Sequence, residues 1–392
     1  MPNRVNVDLS IQPETRTFAC RYQLTASFPT AQRSLAFNVN RKFRVTEVQG
    51  PHLLGYTDSL FYDAFQQDTL RRLTLRFAQP SRQQTVTVRY NGTTPFQTDS
   101  VLEFTAHANW LPTIPDQEYA LVRYRLAVHI PAAYQVISTG PARRAANGTY
   151  VFTGQAPNIE LTAVAARRFT TLGGRHAGVE LYKANRPFNV RDSLLRTHAL
   201  AIIAYQNRII GRRAPIRRFR ILLPGSNRNA FGLLDNAAVI TYSDFDTRKP
   251  ADLLILAHEI SHKWWGWGTW NTYDNWLNEG FATYSGLLYL RATADTATFR
   301  QQLLKHRAAA APAPPILQFD ARKDMAQYRA VIYSKGTVVL ADLHTRLGDE
   351  AFFRLLQATA AAHVNTTQAF LALVEQKTGR ETRDWLAARL GS

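Results

Sequence analysis

The sequence predicts an α+β multidomain protein: an N-terminal antiparallel β-sandwich followed by a mainly helical domain. Three observations carry this. First, apolar and polar residues alternate with a period of two from Val5 to about Phe169, with turn residues between the runs. Second, the period changes to a helical one after Thr171-Leu172-Gly173-Gly174. Third, a chain of 392 residues with 45 % hydrophobic and 19 % charged residues has material for two or three cores, and it is not disordered. The domains are therefore expected over 1–173 and 174–392.

The first half divides into short alternating runs: VNVDLSI, RTFACRYQLTASF, SLAFNVN, FRVTEV, LTLRF, TVTVRY, YALVRYRLAVHI, YQVIST, TYVFTG and IELTAVAARRF. Asn91-Gly92 and Asn147-Gly148 are expected to be turns between such runs. Many short strands with turn punctuation read as a sandwich. Cys20 is the only cysteine, so no intrachain disulfide can form; among Thr17, Phe18 and Tyr22 it reads as a buried thiol.

In the second half, Asp192 is expected to cap a helix running to about Ile210. Phe219 to Leu223 reads as a strand, and Ala237 to Tyr242 as another. Pro250 and Asp252 suit the first turn of the next helix, because proline lacks an N–H and an acid favours the positive end of the dipole. The rest is helical with an interruption at Pro312, Pro314 and Pro315; Gly348-Asp349 marks a helix stop and start.

The chemistry concentrates in AHEISHKWWGWGTWNTYDNWLNEGFATY, residues 257–284. On a helix, positions i and i+4 lie one above the other, so His258 and His262 can reach one metal ion. Glu259 lies about 100° round the helix, placed to touch a water rather than to be a third ligand. Catalytic zinc usually has three protein ligands and a water, and Glu279 is the expected third ligand. The competing reading is a solvated amphipathic helix with two incidental histidines. The apolar run Leu253 to Ala257 argues against it, because burying imidazoles and a carboxylate is costly unless a cation pairs with them. The tryptophans at 264, 265, 267, 270 and 276 read as core and cleft-wall packing.

HEISHKWWG, WLNEGFATY and VIYSKGTVVL together resemble the zinc aminopeptidases of the membrane alanyl aminopeptidase and leukotriene hydrolase family, the gluzincins. One departure concerns the connection between second His and third-ligand Glu: 16 residues lie between His262 and Glu279, fewer than the family usually carries. The intact WLNEGFA string implies a trimmed loop.

The resemblance implies a thermolysin-like catalytic domain at 174–392, one Zn2+ ion, and peptide substrates shortened from their N-termini. It implies Glu259 as general base and Tyr333 as donor to the tetrahedral oxyanion, with Tyr328 in support. Gly232 and Asn236 match a Gly-x-Met-Glu-Asn signature whose Glu grips the substrate α-ammonium group, while Asp235 stands in place of that Glu and Leu234 in place of the Met. Aspartate keeps the charge but is one methylene shorter, about 1.5 Å less reach. That leaves a zinc endopeptidase or broad peptidase as an alternative, and a catalytically silent zinc-fold binding module as another. A Gln or Glu of the first domain holds the amino end in the family; Glu103 and Gln117 are the candidates for it here, and an ordinary surface acid or amide is the favoured reading for both. The large C-terminal helical domain of many relatives has no counterpart here, which implies a more open cleft.

Net charge is +18, with arginines scattered along the whole chain rather than gathered in a basic stripe, so no dedicated nucleic-acid site is expected. No apolar run is long enough to span a bilayer, and MPNRVNVDLS has no apolar leader, so a cytoplasmic protein is expected, with export after removal of a leader as the alternative.

Overall fold

The computed structural model describes residues 3–98, 100–144, 148–174, 178–226, 229–293 and 296–392. The chain divides into two compact units: Met1–Thr170 with Lys183–Pro187 and Leu223–Asn227, and Thr171–Tyr182 with Phe188–Leu222 and Arg228–Ser392.

In the first unit, alternation becomes a two-sheet core. Strand Asn3–Gln12 turns Val5, Val7, Leu9 and Ile11 inward and its polar residues outward. It pairs antiparallel with Thr17–Asn40 and parallel with Leu121–His129, so the larger, eight-stranded sheet is mixed rather than purely antiparallel. Thr17–Asn40 and Asp68–Thr93 run side by side as two long strands, bent where the register shifts between Ser27 and Ser34. Asn91-Gly92 lies inside that second long strand, not in a turn. Gly92 is there for packing: a Cβ would stand 2.8 Å from the Phe43 ring. Asn147 lies outside the described residues. The alternation also concealed Leu53–Asp63, a strand paired with Asp68–Thr93 that leaves Leu54, Leu60 and Tyr62 exposed.

A smaller four-stranded sheet comprises Phe96–Thr98, Val101–Phe104, Gln135–Ile137 and Ala163–Ala166. One apolar cluster joins both sheets, with Val7, Tyr22, Phe37 and Val88 from the larger and Leu102, Phe104, Val136 and Ala165 from the smaller. Phe18 meets Phe104 edge to face at 5.2 Å across it. Cys20 is buried in the same core. Glu103 is not a surface acid: it is 1 % exposed, and burial pushes its carboxyl up to about 7. Gln117 is exposed.

A third, five-stranded sheet includes Phe219–Leu223, Ala237–Ile240 and, at its edge, Ala230–Leu233. The helices are α1 (Val190–Ile209), α2 (Pro250–Ser261), α3 (Trp276–Thr293), α4 (Thr296–Ala310), α5 (Gly336–Ala362), α6 (Thr367–Thr378) and α7 (Arg380–Leu390). The cap of α1 is Asn189 rather than Asp192. Asn189 accepts from the Arg191 and Asp192 N–H groups, and Asp192 returns the bond to the Asn189 N–H, a reciprocal capping box. Gln206 of α1 donates to the Ala257 carbonyl at 2.8 Å, fixing α1 to α2 in the apolar interior. Gly348, at φ 73°, breaks α5 where the sequence placed a stop.

Candidate active site

The nine residues assigned to the site from sequence all lie in the second unit; α2 carries His258 and Glu259, with His262 as its C-terminal cap. Its cap Lys249 contributes no side-chain bond, so the helix begins on Pro250 at its first turn. The apolar run before His258 has two surfaces: Leu256, Ala257 and Ile260 are buried, whereas Leu254 and Ile255 line the cleft. His262 closes the helix in helical geometry, so the one-turn relation to His258 survives at the helix end.

The His258 and His262 Nε2 atoms stand 3.1 Å apart. The Glu279 Oε2 is 3.2 Å from the first and 3.8 Å from the second. Ligand atoms from the three residues all lie within 4.8 Å of one another. The Nδ1 of His262 is 2.7 Å from the Trp265 carbonyl, which can only accept, so Nδ1 carries the proton and Nε2 presents a lone pair. Thr283 Oγ1 holds the Nδ1 of His258 at 3.3 Å. Among the described residues, Glu279 Oε2 is buried with no hydrogen bond of acceptable geometry. Two imidazole nitrogens and an acceptor-only oxygen facing one another this closely fit a divalent cation, and the mix of two imidazoles and a carboxylate suits zinc.

Glu279 stands in the first turn of α3. The short connection from His262 is pinned by Asn278, which accepts the Gly268 N–H at 2.8 Å and donates to the Gly268 carbonyl at 2.9 Å and to Asn275 at 2.6 Å. The Asn and Glu of WLNEGFA thus act together: one fastens the loop, the other turns into the cluster. Burial pushes Glu279 up, but the neighbouring imidazoles overcome it and hold the carboxyl at about 2. Glu259 shows the opposite balance. Burial pushes it up to about 7; His262 lowers it and Glu279 raises it.

The Gly232 N–H donates to Glu259 Oε2 at 2.7 Å, bringing the edge strand against α2. A Cβ on Gly232 would lie 2.0 Å from the Glu259 carbonyl oxygen, so this approach requires glycine. Leu233 pairs with Ala237, leaving Leu234, Asp235 and Asn236 as a three-residue hairpin loop. Asn236 adopts the left-handed conformation at φ 69°, as the last residue of such a loop commonly does. Its conformation is therefore accounted for by the turn.

Tyr333 comes from a π-helical segment, Arg329–Lys335, a winding often found at functional sites. Gly336 follows it and packs directly on Gly280, where a Cβ would sit 3.1 Å from the Gly336 Cα. This backbone-to-backbone contact brings Tyr333 beside Glu279 and stacks its ring parallel to His258, at an interplanar angle of 5°. Burial and the Glu279 charge raise the Tyr333 hydroxyl well above its ordinary value, so it remains a proton donor. Tyr328 packs edge-on against Tyr333 and receives the Asn275 amide on its hydroxyl.

Two residues escaped the sequence reading. Arg329 lies over the Tyr333 ring at 4.6 Å, and His306 of α4 is 3.2 Å from Ser334 Oγ. Both line a cleft of about 500 Å³ with His258, Glu259 and Tyr333. Arg329 was detectable in principle, one helical turn before Tyr333, whereas nothing local marks His306. The tryptophans behave as packing residues: Trp264, Trp265 and Trp276 are buried, with indole N–H groups donating to the Ala214 carbonyl, Ser285 and Thr367.

Comparison with known proteins agrees with this geometry. Residues 234–381 match the Peptidase family M1 domain. Aminopeptidase N of Streptomyces lividans is 29 % identical over 187 residues, covering 41 % of this chain and 21 % of that protein. Human endoplasmic reticulum aminopeptidase 2 is 31 % identical over 150 residues, covering 31 % of this chain and 15 % of that protein. This chain therefore spans about a fifth or less of the curated relatives it matches. Among solved structures, an M1 zinc metallopeptidase from Deinococcus radiodurans superposes with a TM-score of 0.74 at 17 % identity, covering 100 % of this chain and 94 % of that one. Yeast LTA4 hydrolase gives 0.74 at 17 % identity, covering 98 % and 66 %. Those structural likenesses give the two-domain fold, and the stretch that matches the Peptidase family M1 domain, residues 234–381, is the one that carries His258, His262, Glu279 and Tyr333.

Proposed function

We propose that the protein is a zinc-dependent peptidase that removes N-terminal residues from peptides. The observation that carries this reading is the convergence of His258, His262 and Glu279 within 4.8 Å, beside a buried Glu259 and a half-buried Tyr333 that both line the cleft. The three residues would hold one zinc ion. Zinc bound there supplies Lewis acidity toward water and toward a carbonyl.

Glu259 is the general base. One of its oxygens is engaged by the Gly232 N–H, which fixes the carboxylate and leaves the other oxygen to accept a proton from water. A carboxyl near pH 7 can take that proton and then release it to the departing amine. Tyr333 donates its O–H to the oxyanion as charge develops. Tyr328 buttresses the Tyr333 ring. Asp235, at the hairpin loop beyond the edge strand, pairs with the free α-ammonium group, and Gly232 and Asn236 set the loop's position.

The test compares free and N-acetylated forms of one peptide, with and without chelator. Cleavage of the free form alone, abolished by chelator and restored by zinc, is expected. Equal cleavage of both forms would make it an endopeptidase and remove Asp235 from its role. Zinc binding without hydrolysis of either would leave a silent binding module.

A further inference from the structure

The cleft has one permanent cation among its described lining residues, Arg329, and one carboxylate, Glu259. Arg329 is solvent-exposed and makes no ion pair among the described residues, although 29 acids are available in the chain. Its guanidinium is not loose: it lies over the Tyr333 ring at 4.6 Å. Stacking on an aromatic face fixes the plane of the donor fork, so less side-chain freedom is lost when a carboxylate docks. His306 lies on the same wall, and its burial, with Arg329 and His258 nearby, keeps it from becoming a second charge.

The edge strand gives the direction. Gly232 meets Glu259 in its middle, the hairpin loop with Asp235 follows its Leu233 end, and Asn229 and Ala230 at its other end line the cleft with Arg329. With the α-ammonium group at Asp235, the part of the peptide beyond the cleaved bond runs toward Ala230. We propose that Arg329 selects peptides with a carboxylate on the residue directly after that bond: an aspartate or glutamate side chain, or the free α-carboxylate of a dipeptide. This rests on the aminopeptidase reading above.

The zinc-loaded enzyme is tested on two pairs with the same first residue: Leu-Glu-Ala-amide against Leu-Gln-Ala-amide, and Leu-Ala against Leu-Ala-amide. The charged member of at least one pair is expected to have a kcat/KM about 10-fold higher, in keeping with one charge-assisted, pre-oriented contact. The pair that responds identifies the source of the carboxylate. Arg329→Glu should reverse the ratio and favour Leu-Lys-Ala-amide. A role confined to supporting Tyr333 would lower all substrates together and leave every ratio unchanged. Equal kcat/KM within both pairs, or a preference that survives Arg329→Glu, overturns the assignment. Binding of the same peptides to Glu259→Gln by calorimetry keeps the two readings apart. Preferential binding without cleavage in the parent enzyme sinks the peptidase and spares Arg329; cleavage without preference does the reverse.

Discussion

At the scale of the residue, the roles proposed for Glu259 and Tyr333 are separable from the cation holding proposed for His258, His262 and Glu279. Glu259→Gln keeps the Gly232 contact and the volume but cannot take up a proton. It should retain stoichiometric zinc by metal analysis and show no turnover; normal turnover would remove the general-base role. Tyr333→Phe should lower kcat by roughly 10²-fold or more, the range for a lost oxyanion donor. Glu103 gives a stability test away from this chemistry. Its folded carboxyl lies near 7, above the ordinary glutamate value, so between these limits the folded state holds a proton that the unfolded chain has released. Stability from this group is complete at low pH and is lost as pH rises toward 7. Glu103→Gln should flatten the decline in melting temperature between pH 5 and 8, an effect on the order of 1 kcal/mol or more. An unchanged slope would remove the buried acid from the account. The convergence of His258 and His262 was legible from their one-turn helical spacing, and that of Glu279 from the WLNEGFA string. The state of Glu103 was not, because its burial depends on the strands it joins, which pair it with Val164 on one side and Phe96 on the other.

Elements decide how closely these groups meet. The edge strand touches α2 through Gly232, and α3 touches the start of α5 through Gly280 and Gly336. Gly232→Ala places a methyl 2.0 Å from a backbone oxygen, so the strand must retreat. A loss of roughly 1–3 kcal/mol, typical of overpacking, is expected in denaturant unfolding, together with a larger fall in kcat as Glu259 loses its N–H donor. Wild-type values for both would discard the close-approach argument. Helix α2 and the strand Ala237–Ile240 before it were readable from apolar runs and from the residues that open the helix, whereas the strand Ala230–Leu233 that completes the hairpin was not. The cap of α1 falls on Asn189 instead of Asp192, since both are good caps and only the backbone path chooses between them. The π-helical turn was invisible, because its sequence is also an acceptable α-helix and tertiary contacts select the winding. The parallel strand pair was equally hidden, for alternation gives a strand its faces and not its neighbour.

For the whole molecule, the cluster of His258, His262 and Glu279 sits entirely in one of two compact units. Zinc binding the folded state alone stabilises it by about 2.7 kcal/mol at a hundredfold excess over Kd. Calorimetry with and without chelator should therefore move one melting transition by several degrees, at about 2–4 °C per kcal/mol, and leave any transition of the strand-rich unit in place. A uniform shift of the whole profile would contradict that confinement. Among the described residues, no helix is long and apolar enough to cross a membrane. The wider winding of Arg329–Lys335 accommodates one more residue than an ordinary helical path between the same ends. Excising Ser334 or Lys335 would let the coil tighten and swing the phenol about 100° off the imidazole it faces. Cation affinity and fold would outlive that deletion while reactivity vanished, so chain length at this single bend is where a working hydrolase and an inert look-alike would part.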